Sequence, residues 1–244
     1  MRLVCVPAGS RRPTNPRVTN FSGMFPPVTL SRQYQNRAVR RIGHRGAKGH
    51  APENTIAAFQ KAIDLGCDGV ETDVWLADHG RLVISHDPPG RDASLTLDEV
   101  LDFCRGKLEV NVELKCVASE ERARQTGARV AAILARRADP DVYVSSFWWD
   151  ALEGSRSAGP SVRRAFLFAD SPERRTFLET ARAAGLWALH PNRAYVTPAF
   201  VRDVHGAGFV VNAWTVNEPS EIATFAEWGV DGIMSDYPER VPKD

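Results

Sequence analysis

Four short segments carry residue types suited to proton transfer and anion binding: His44-Arg45-Gly46, Glu71-Thr72-Asp73, Ser85-His86-Asp87 and Glu113-Leu114-Lys115. Glu71 and Asp73 stand two residues apart, as do Glu113 and Lys115, so on extended chain each pair points to one face. Each segment alone has a plainer reading as a turn histidine, a solvated strand face or a simple ion pair. The set is harder to dismiss, because burying several charges without partners costs several kcal/mol each. Three carboxylates that share one mouth repel unless a cation neutralises them. Glu71, Asp73 and Glu113 offer only oxygen, which suits one hard divalent cation, Mg²⁺ or Ca²⁺, with Mn²⁺ behind them and Zn²⁺ less favoured. His44 and His86 then read as an acid–base pair, since histidine titrates nearest neutral pH. Arg45 and Lys115 add fixed positive charge, and the natural guest of such a site is phosphate.

These residues need a frame that brings distant segments together. From Ala38 onward, short apolar runs alternate with helical patterns. Strands are expected at 39–43, 69–75, 108–114, 141–146, 162–168, 186–190, 208–214 and 231–235, with an extra short run at 81–86. Helices are expected near 54–65, 96–104, 119–137, 148–158, 172–184, 197–206 and 218–228. In the first helix Asn54 or Thr55 can cap the start, Ile56, Phe59 and Ile63 share a face, and Gly66 can end it. Gly185, Gly208 and Gly229 stand at matching helix ends. Gly66–Asp73 and Gly229–Asp236 agree at six of eight positions, identical or similar, so one helix-to-strand unit is reused. Eight such units predict a single-domain TIM (β/α)₈ barrel rather than an open doubly wound sheet. The chain stops soon after the eighth strand, so the last helix must be short, absent or replaced. All four chemical segments fall at strand C-terminal ends, where active sites of such barrels form.

The segments Gly43–Gly46, Pro52-Glu53-Asn54-Thr55, Gly69–Val74, Ser85-His86-Asp87 and Glu113-Leu114-Lys115 resemble the glycerophosphodiester phosphodiesterase family. Ala213–Asn217 and Asp231–Pro238 are similar to its C-terminal strands, so the resemblance runs from about Arg41 to Pro238. It implies His44 and His86 as general base and acid, Glu71, Asp73 and Glu113 as metal ligands, and Arg45 and Lys115 as phosphate holders. It also implies attack by the neighbouring glycerol hydroxyl through a cyclic phosphate. Glu53 is expected to brace the loop after the first strand, and Trp214 to wall the glycerol pocket. Many family members carry a sizeable insertion between the His-Asp and Glu-x-Lys motifs, but here only Pro88–Asn111 separates them. Phe147, Trp148 and Trp149 are expected to pack against helices rather than replace that cover. The alternatives are a phospholipase D-like lyase releasing cyclic phosphate from lysolipids, and a non-catalytic phosphodiester-binding protein.

Composition sets outer bounds. Apolar residues make up 43% and charged residues 25%, ordinary values for a globular protein with a sizeable core. A net charge of +1 gives no push toward nucleic acid or anionic membrane, so the expected partner is a small phosphodiester. No apolar run approaches the roughly 18 residues of a membrane span. Cys5, Cys67, Cys104 and Cys116 form no C-x-x-C pair and read as reduced thiols of a cytoplasmic protein. Met1–Arg41 holds eight arginines, five prolines and no acidic residue. Residues 1–38 are therefore expected to be a basic, non-catalytic extension, a composition that also fits an organelle transit peptide.

Overall fold

The computed structural model describes residues 38–90, 93–117, 119–170 and 174–243. The extension expected at residues 1–38 lies outside them except for Ala38. Eight parallel strands close into a barrel: β1 (Arg40–Gly43), β2 (Gly69–Leu76), β4 (Glu109–Lys115), β5 (Val142–Ser146), β6 (Arg164–Phe168), β7 (Ala188–Pro191), β8 (Val210–Ala213) and β9 (Gly232–Ser235). Closure comes from β1, which pairs with β9 on one side and β2 on the other. The extra strand β3 (Leu82–Ile84) folds back antiparallel on the upper half of β2, pairing Val74 with Ile84 and Leu76 with Leu82. Seven α-helices link the strands among the described residues: α1 (Ile56–Asp64), α2 (Leu97–Cys104), α3 (Glu120–Arg137), α4 (Trp149–Ala158), α5 (Arg174–Ala183), α6 (Pro198–Gly206) and α7 (Pro219–Glu227). None is long and apolar enough to cross a membrane.

Local sequence accounts for the helix ends. Thr55 caps α1 by accepting from the Ala58 N–H, and Thr96 forms a reciprocal capping box with Glu99 on α2. Thr197 caps α6 with Pro198 in its first turn. The expected glycines at 66, 185, 208 and 229 all take positive φ after their helices.

Strands begin later than the apolar runs suggest. Leu186, Phe209 and Leu108 precede β7, β8 and β4, yet each is almost fully buried. They plug the turn between helix and strand, so apolar character extends beyond the hydrogen-bonded ladder. His86 likewise sits two residues past the end of β3, in the following loop.

The barrel wall sorts side chains by parity. On β4, Val110, Val112 and Leu114 join the large core between strands and helices, while Glu109, Asn111, Glu113 and Lys115 take the other face. Near the barrel floor, Arg40 pairs with Glu109, Arg163 reaches Glu109 at 3.0 Å, and Arg163 lies 4.6 Å over the Trp187 ring. A small apolar layer of Tyr143, Ala165, Ala188 and Val210 packs with them. The polar face of the upper strands is therefore an interior lining, and its upper layer carries Asp73, Glu113 and Lys115.

No eighth α-helix follows β9 among the described residues. A 3₁₀ turn at Pro238–Arg240 leads into a tail whose Val241 is fully buried. Arg41 fixes that tail: its Nε donates to the Val241 carbonyl at 2.9 Å, and its Nη1 donates to the Leu65 carbonyl at 2.7 Å. The 3₁₀ turn packs against β1 and β9, at the seam where the barrel closes.

Candidate active site

β1 delivers His44 to the mouth, and the chain then turns sharply. Arg45 adopts a left-handed backbone (φ 51°), and Gly46 follows at φ 79°. A Cβ on Gly46 would lie 2.7 Å from the backbone of Ala58, so only glycine lets the turn sit against α1. The unusual Arg45 geometry is held from the next strand, where Glu71 Oε2 accepts the Arg45 N–H at 3.0 Å.

Glu71, Asp73 and Glu113 come together as expected, with one oxygen from each within 4.8 Å of the others. Burial pushes the Glu71 carboxyl well above its ordinary value, reinforced by Asp73 and Glu113. Burial also raises Glu113, to about 7, although Lys115 opposes it. Asp73 goes the other way: burial would raise it, but Lys115, Arg45 and the Asn54 amide together hold it below its ordinary value. Glu71 Oε1 and Asp73 Oδ1 are buried without a hydrogen-bond partner. Two orphan carboxylate oxygens in an oxygen-only cluster are the donor set a hard cation requires.

The two cationic residues sit among these carboxylates. Lys115 Nζ lies 3.0 Å from Glu113 and 3.4 Å from Asp73. Arg45 Nε lies 3.2 Å from Asp73, and its Nη1 donates to both oxygens of Glu53 at 3.0 Å. Glu53 thus braces the loop through Arg45, as the sequence suggested.

The histidines flank the cluster. His44 Nε2 stands 4.0 Å from Glu71, and His44 Nδ1 lies 2.7 Å from Asp236 Oδ1. Burial lowers the His44 pKa below its ordinary value, with the Asp236 hydrogen bond opposing. His86 is lowered as well, by burial and then by Arg45 and Lys115, and the Ser85 N–H, donating to the Asp73 carbonyl at 3.1 Å, ties its loop to β2 beside the cluster. Its Nδ1 lies 3.0 Å from Asp87. The downward shift favours the neutral ring of His44, the form a base needs.

Trp214 stands half-buried at the mouth, its indole N–H donating to the His190 carbonyl at 2.8 Å. Phe147 meets it edge-on, ring centroids 5.4 Å apart. The aromatic triplet thus divides: Phe147 joins the mouth, while Trp149 stacks on Phe166 at 4.2 Å in the outer core. Helix packing holds for Trp149 and not for Phe147.

Sequence reasoning missed Asp236 and the group that holds it. Asn217 Nδ2 donates to Asp236 Oδ2 at 2.9 Å, while Asn217 Oδ1 accepts from the Asp236 N–H and the Ser235 hydroxyl. The signal was present in the internal repeat, which aligns Asp236 with Asp73. Asn54, weighed only as a helix cap, is also a site residue.

The sequence profile of the Glycerophosphoryl diester phosphodiesterase family matches residues 44–105 and 88–240. A glycerophosphodiester phosphodiesterase of Bacillus altitudinis is 31% identical over 246 residues, spanning 83% of this chain and 96% of its own. An Oleispira antarctica phosphodiesterase, solved in complex with the product sn-glycerol-3-phosphate, superposes with a TM-score of 0.73 at 26% identity, covering 84% of this chain and 95% of that one. A glycerophosphodiester phosphodiesterase from Thermotoga maritima gives a TM-score of 0.70 at 25% identity, covering 84% and 97%. With its barrel, its carboxylate cluster and its flanking histidines in the matched region, this chain belongs to the glycerophosphoryl diester phosphodiesterase family of enzymes.

Proposed function

We propose that this enzyme hydrolyses glycerophosphodiesters to sn-glycerol 3-phosphate and an alcohol, with a divalent cation held by Glu71, Asp73 and Glu113. The observation that carries the reading is the convergence of those three carboxylates between His44 and His86 at the barrel mouth. When bound, the cation supplies Lewis-acid stabilisation of charge on the phosphoryl oxygens, and Mg²⁺ or Ca²⁺ suits the all-oxygen donor set.

Arg45 and Lys115 hold the non-bridging phosphate oxygens, each already fixed in place by carboxylates. Burial would raise the Asp236 carboxyl, but its bond to His44 holds it below its ordinary value, so it accepts a hydrogen bond from Nδ1–H and leaves Nε2 with a lone pair. His44 thereby acts as the base, removing the proton from the neighbouring glycerol hydroxyl as that oxygen attacks phosphorus. His86 protonates the departing alcohol oxygen. The resulting cyclic phosphate is opened by water with the two roles exchanged. Trp214, backed by Phe147, walls the glycerol carbons.

The activity belongs to residues 39–244, with residues 1–38 an accessory extension. The free thiols of Cys67, Cys104 and Cys116 support a reducing compartment, the cytoplasm. The lysolipid lyase is less well supported, because Val117 is the lone large hydrophobic side chain strongly exposed among the described residues.

The test is an assay of purified enzyme on glycerophosphocholine, glycerophosphoethanolamine, glycerophosphoglycerol and lysophosphatidylcholine with Mg²⁺, Ca²⁺ or Mn²⁺. Release of sn-glycerol 3-phosphate from one of the first three supports the proposal. Turnover of the lysolipid alone, ending at cyclic phosphate in a phosphorus NMR spectrum, would replace it with the lyase.

A further inference from the structure

Asn54 stands two residues before the start of α1, yet it does not cap it. Thr55 does that, accepting the Ala58 N–H at 3.2 Å. Asn54 instead adopts a left-handed backbone (φ 57°) and is buried, with 7% of its surface exposed. A left-handed non-glycine residue costs conformational energy and persists only where its surroundings fix it.

The side chain shows what that conformation achieves. All three of its hydrogen bonds go to β2. Asn54 Oδ1 accepts the Thr72 hydroxyl at 2.9 Å and the Asp73 N–H at 3.3 Å. With the carbonyl end committed to two donors, the amide nitrogen must face the carboxylate, and Nδ2 donates to Asp73 Oδ2 at 2.8 Å. Arg45 Nε lies 3.2 Å from the same Oδ2. The loop is tied on its other side by the Asn54 N–H, which donates to the Arg45 carbonyl at 3.0 Å. One oxygen of Asp73 therefore accepts the Asn54 amide and has the Arg45 guanidinium beside it, which fixes the orientation of the carboxylate. The other, Oδ1, is buried, accepts no hydrogen bond, and has Lys115 Nζ 3.4 Å away.

We propose that Asn54 is a positioning residue that sets cation affinity: it occupies Asp73 Oδ2 and so presents Oδ1 as the ligand oxygen. The inference rests on the cation site proposed above and adds to it a residue that never touches the ion. The left-handed turn brings a residue preceding α1 back against β2 with its amide aimed at the carboxylate. Groups that orient a ligating carboxylate act on affinity through the geometry they impose.

Glycine separates the two roles of the position. It accepts φ 57° without a Cβ penalty, so Asn54→Gly keeps the turn and removes the amide. Thr72→Val is a second, milder variant that removes one of the two donors holding Asn54 Oδ1 and leaves the loop sequence intact. Titration calorimetry with Ca²⁺ and with Mg²⁺ on the full chain is expected to show binding about 10- to 100-fold weaker for Asn54→Gly. Thr72→Val is expected to shift affinity in the same direction by less, and it carries the test if the glycine variant fails to fold. The rise in Tm on adding Ca²⁺ should shrink in both variants by more than the cation-free Tm falls. Binding in both variants as tight as in the unsubstituted protein would overturn the proposal. Absence of cation binding by the unsubstituted protein is a separate outcome: it would overturn the cation site itself, and the role of Asn54 with it.

Discussion

His44 Nδ1 lies 2.7 Å from Asp236 Oδ1, joining the end of the first barrel strand to the end of the last across the seam where the barrel closes. Asp236 is in turn clamped by Asn217, so the ring of His44 has its orientation and its tautomer fixed from behind. An acid–base residue held this way loses rate rather than substrate affinity when its support is removed. Asp236→Ala is expected to lower kcat at least about tenfold, on the usual scale of general acid–base effects, with KM nearly unchanged. Steady-state kinetics decide it, and a rise in KM with constant kcat would make Asp236 a binding residue instead.

His44→Ala and His86→Ala should each reduce kcat by about 100-fold or more, while calorimetry finds cation binding little changed. Burial lowers the His44 pKa, so the acidic limb of the bell-shaped rate profile, set by protonation of the base, is expected below pH 6.5. A 2-deoxyglycerol diester, which lacks the neighbouring hydroxyl, should bind and fail to turn over. Normal turnover of that analogue would mean that water attacks phosphorus directly.

The carboxylate cluster makes the cation-free protein pH-sensitive in a defined direction. The Glu113 pKa in the folded state, about 7, stands above the ordinary value of 4.5, so the fold retains a proton that the unfolded chain has released. That contribution to stability is fully present below about pH 4.5 and is lost as pH rises through about 7. A cation competes with the same proton, so its affinity should increase across this window. Melting curves with EDTA and with Ca²⁺, taken from pH 5 to 8, should diverge toward high pH. Parallel curves would count against the cluster as the cation site. Asp73→Asn should reduce the divergence while the protein remains folded.

Stability away from the mouth depends on one close helix contact. A Cβ on Gly127 of α3 would lie 1.8 Å from the Ala151 carbonyl oxygen of α4, and one on Gly154 would lie 2.1 Å from the Arg124 carbonyl oxygen. Gly127→Ala should force the helices apart and destabilise the fold by about 1–3 kcal/mol, the usual cost of overpacking. Denaturant titration measures this. Activity per folded molecule should be retained, because neither helix supplies a site residue.

Deleting residues 1–37 should leave kcat and Tm close to those of the full chain, since this proline-rich, acid-free segment has little apolar surface to pack. A loss of more than about 2 kcal/mol would assign it a structural part in the barrel.

The architecture was legible because glycine-ended helices and apolar runs alternate regularly, and each period is set by local backbone physics. Strand starts were less so. Leu186 and Phe209 are apolar for burial in turns, and hydrophobicity does not distinguish that burial from a place in the ladder. The charged residues that meet at the mouth announced themselves by type, as Glu71, Asp73, His44 and Lys115 did. Residues that orient them did not. Asn54 looks like a helix cap because asparagine is a good one, and only the neighbouring Thr55 taking that role shows otherwise. Asp236 lies 192 positions from its partner His44, and the internal repeat marks its position without saying what it touches.

The Arg41 clasp on Val241 has a consequence for how this enzyme can be handled and connected. It draws the end of the described chain down the outside of the barrel, so that Lys243 reaches Asp68, at the foot of β2, while the strand that opens the barrel starts at Arg40 beside Asp231. Both ends of the folded body therefore emerge near the floor, opposite the mouth. A tag, a surface linker or a fused domain joined to the folded body at either point is carried on the side away from the mouth. The same proximity makes the barrel a natural subject for circular permutation: a short linker between the two ends, with new ends cut in a helix-to-strand turn on the floor, preserves every contact at the mouth.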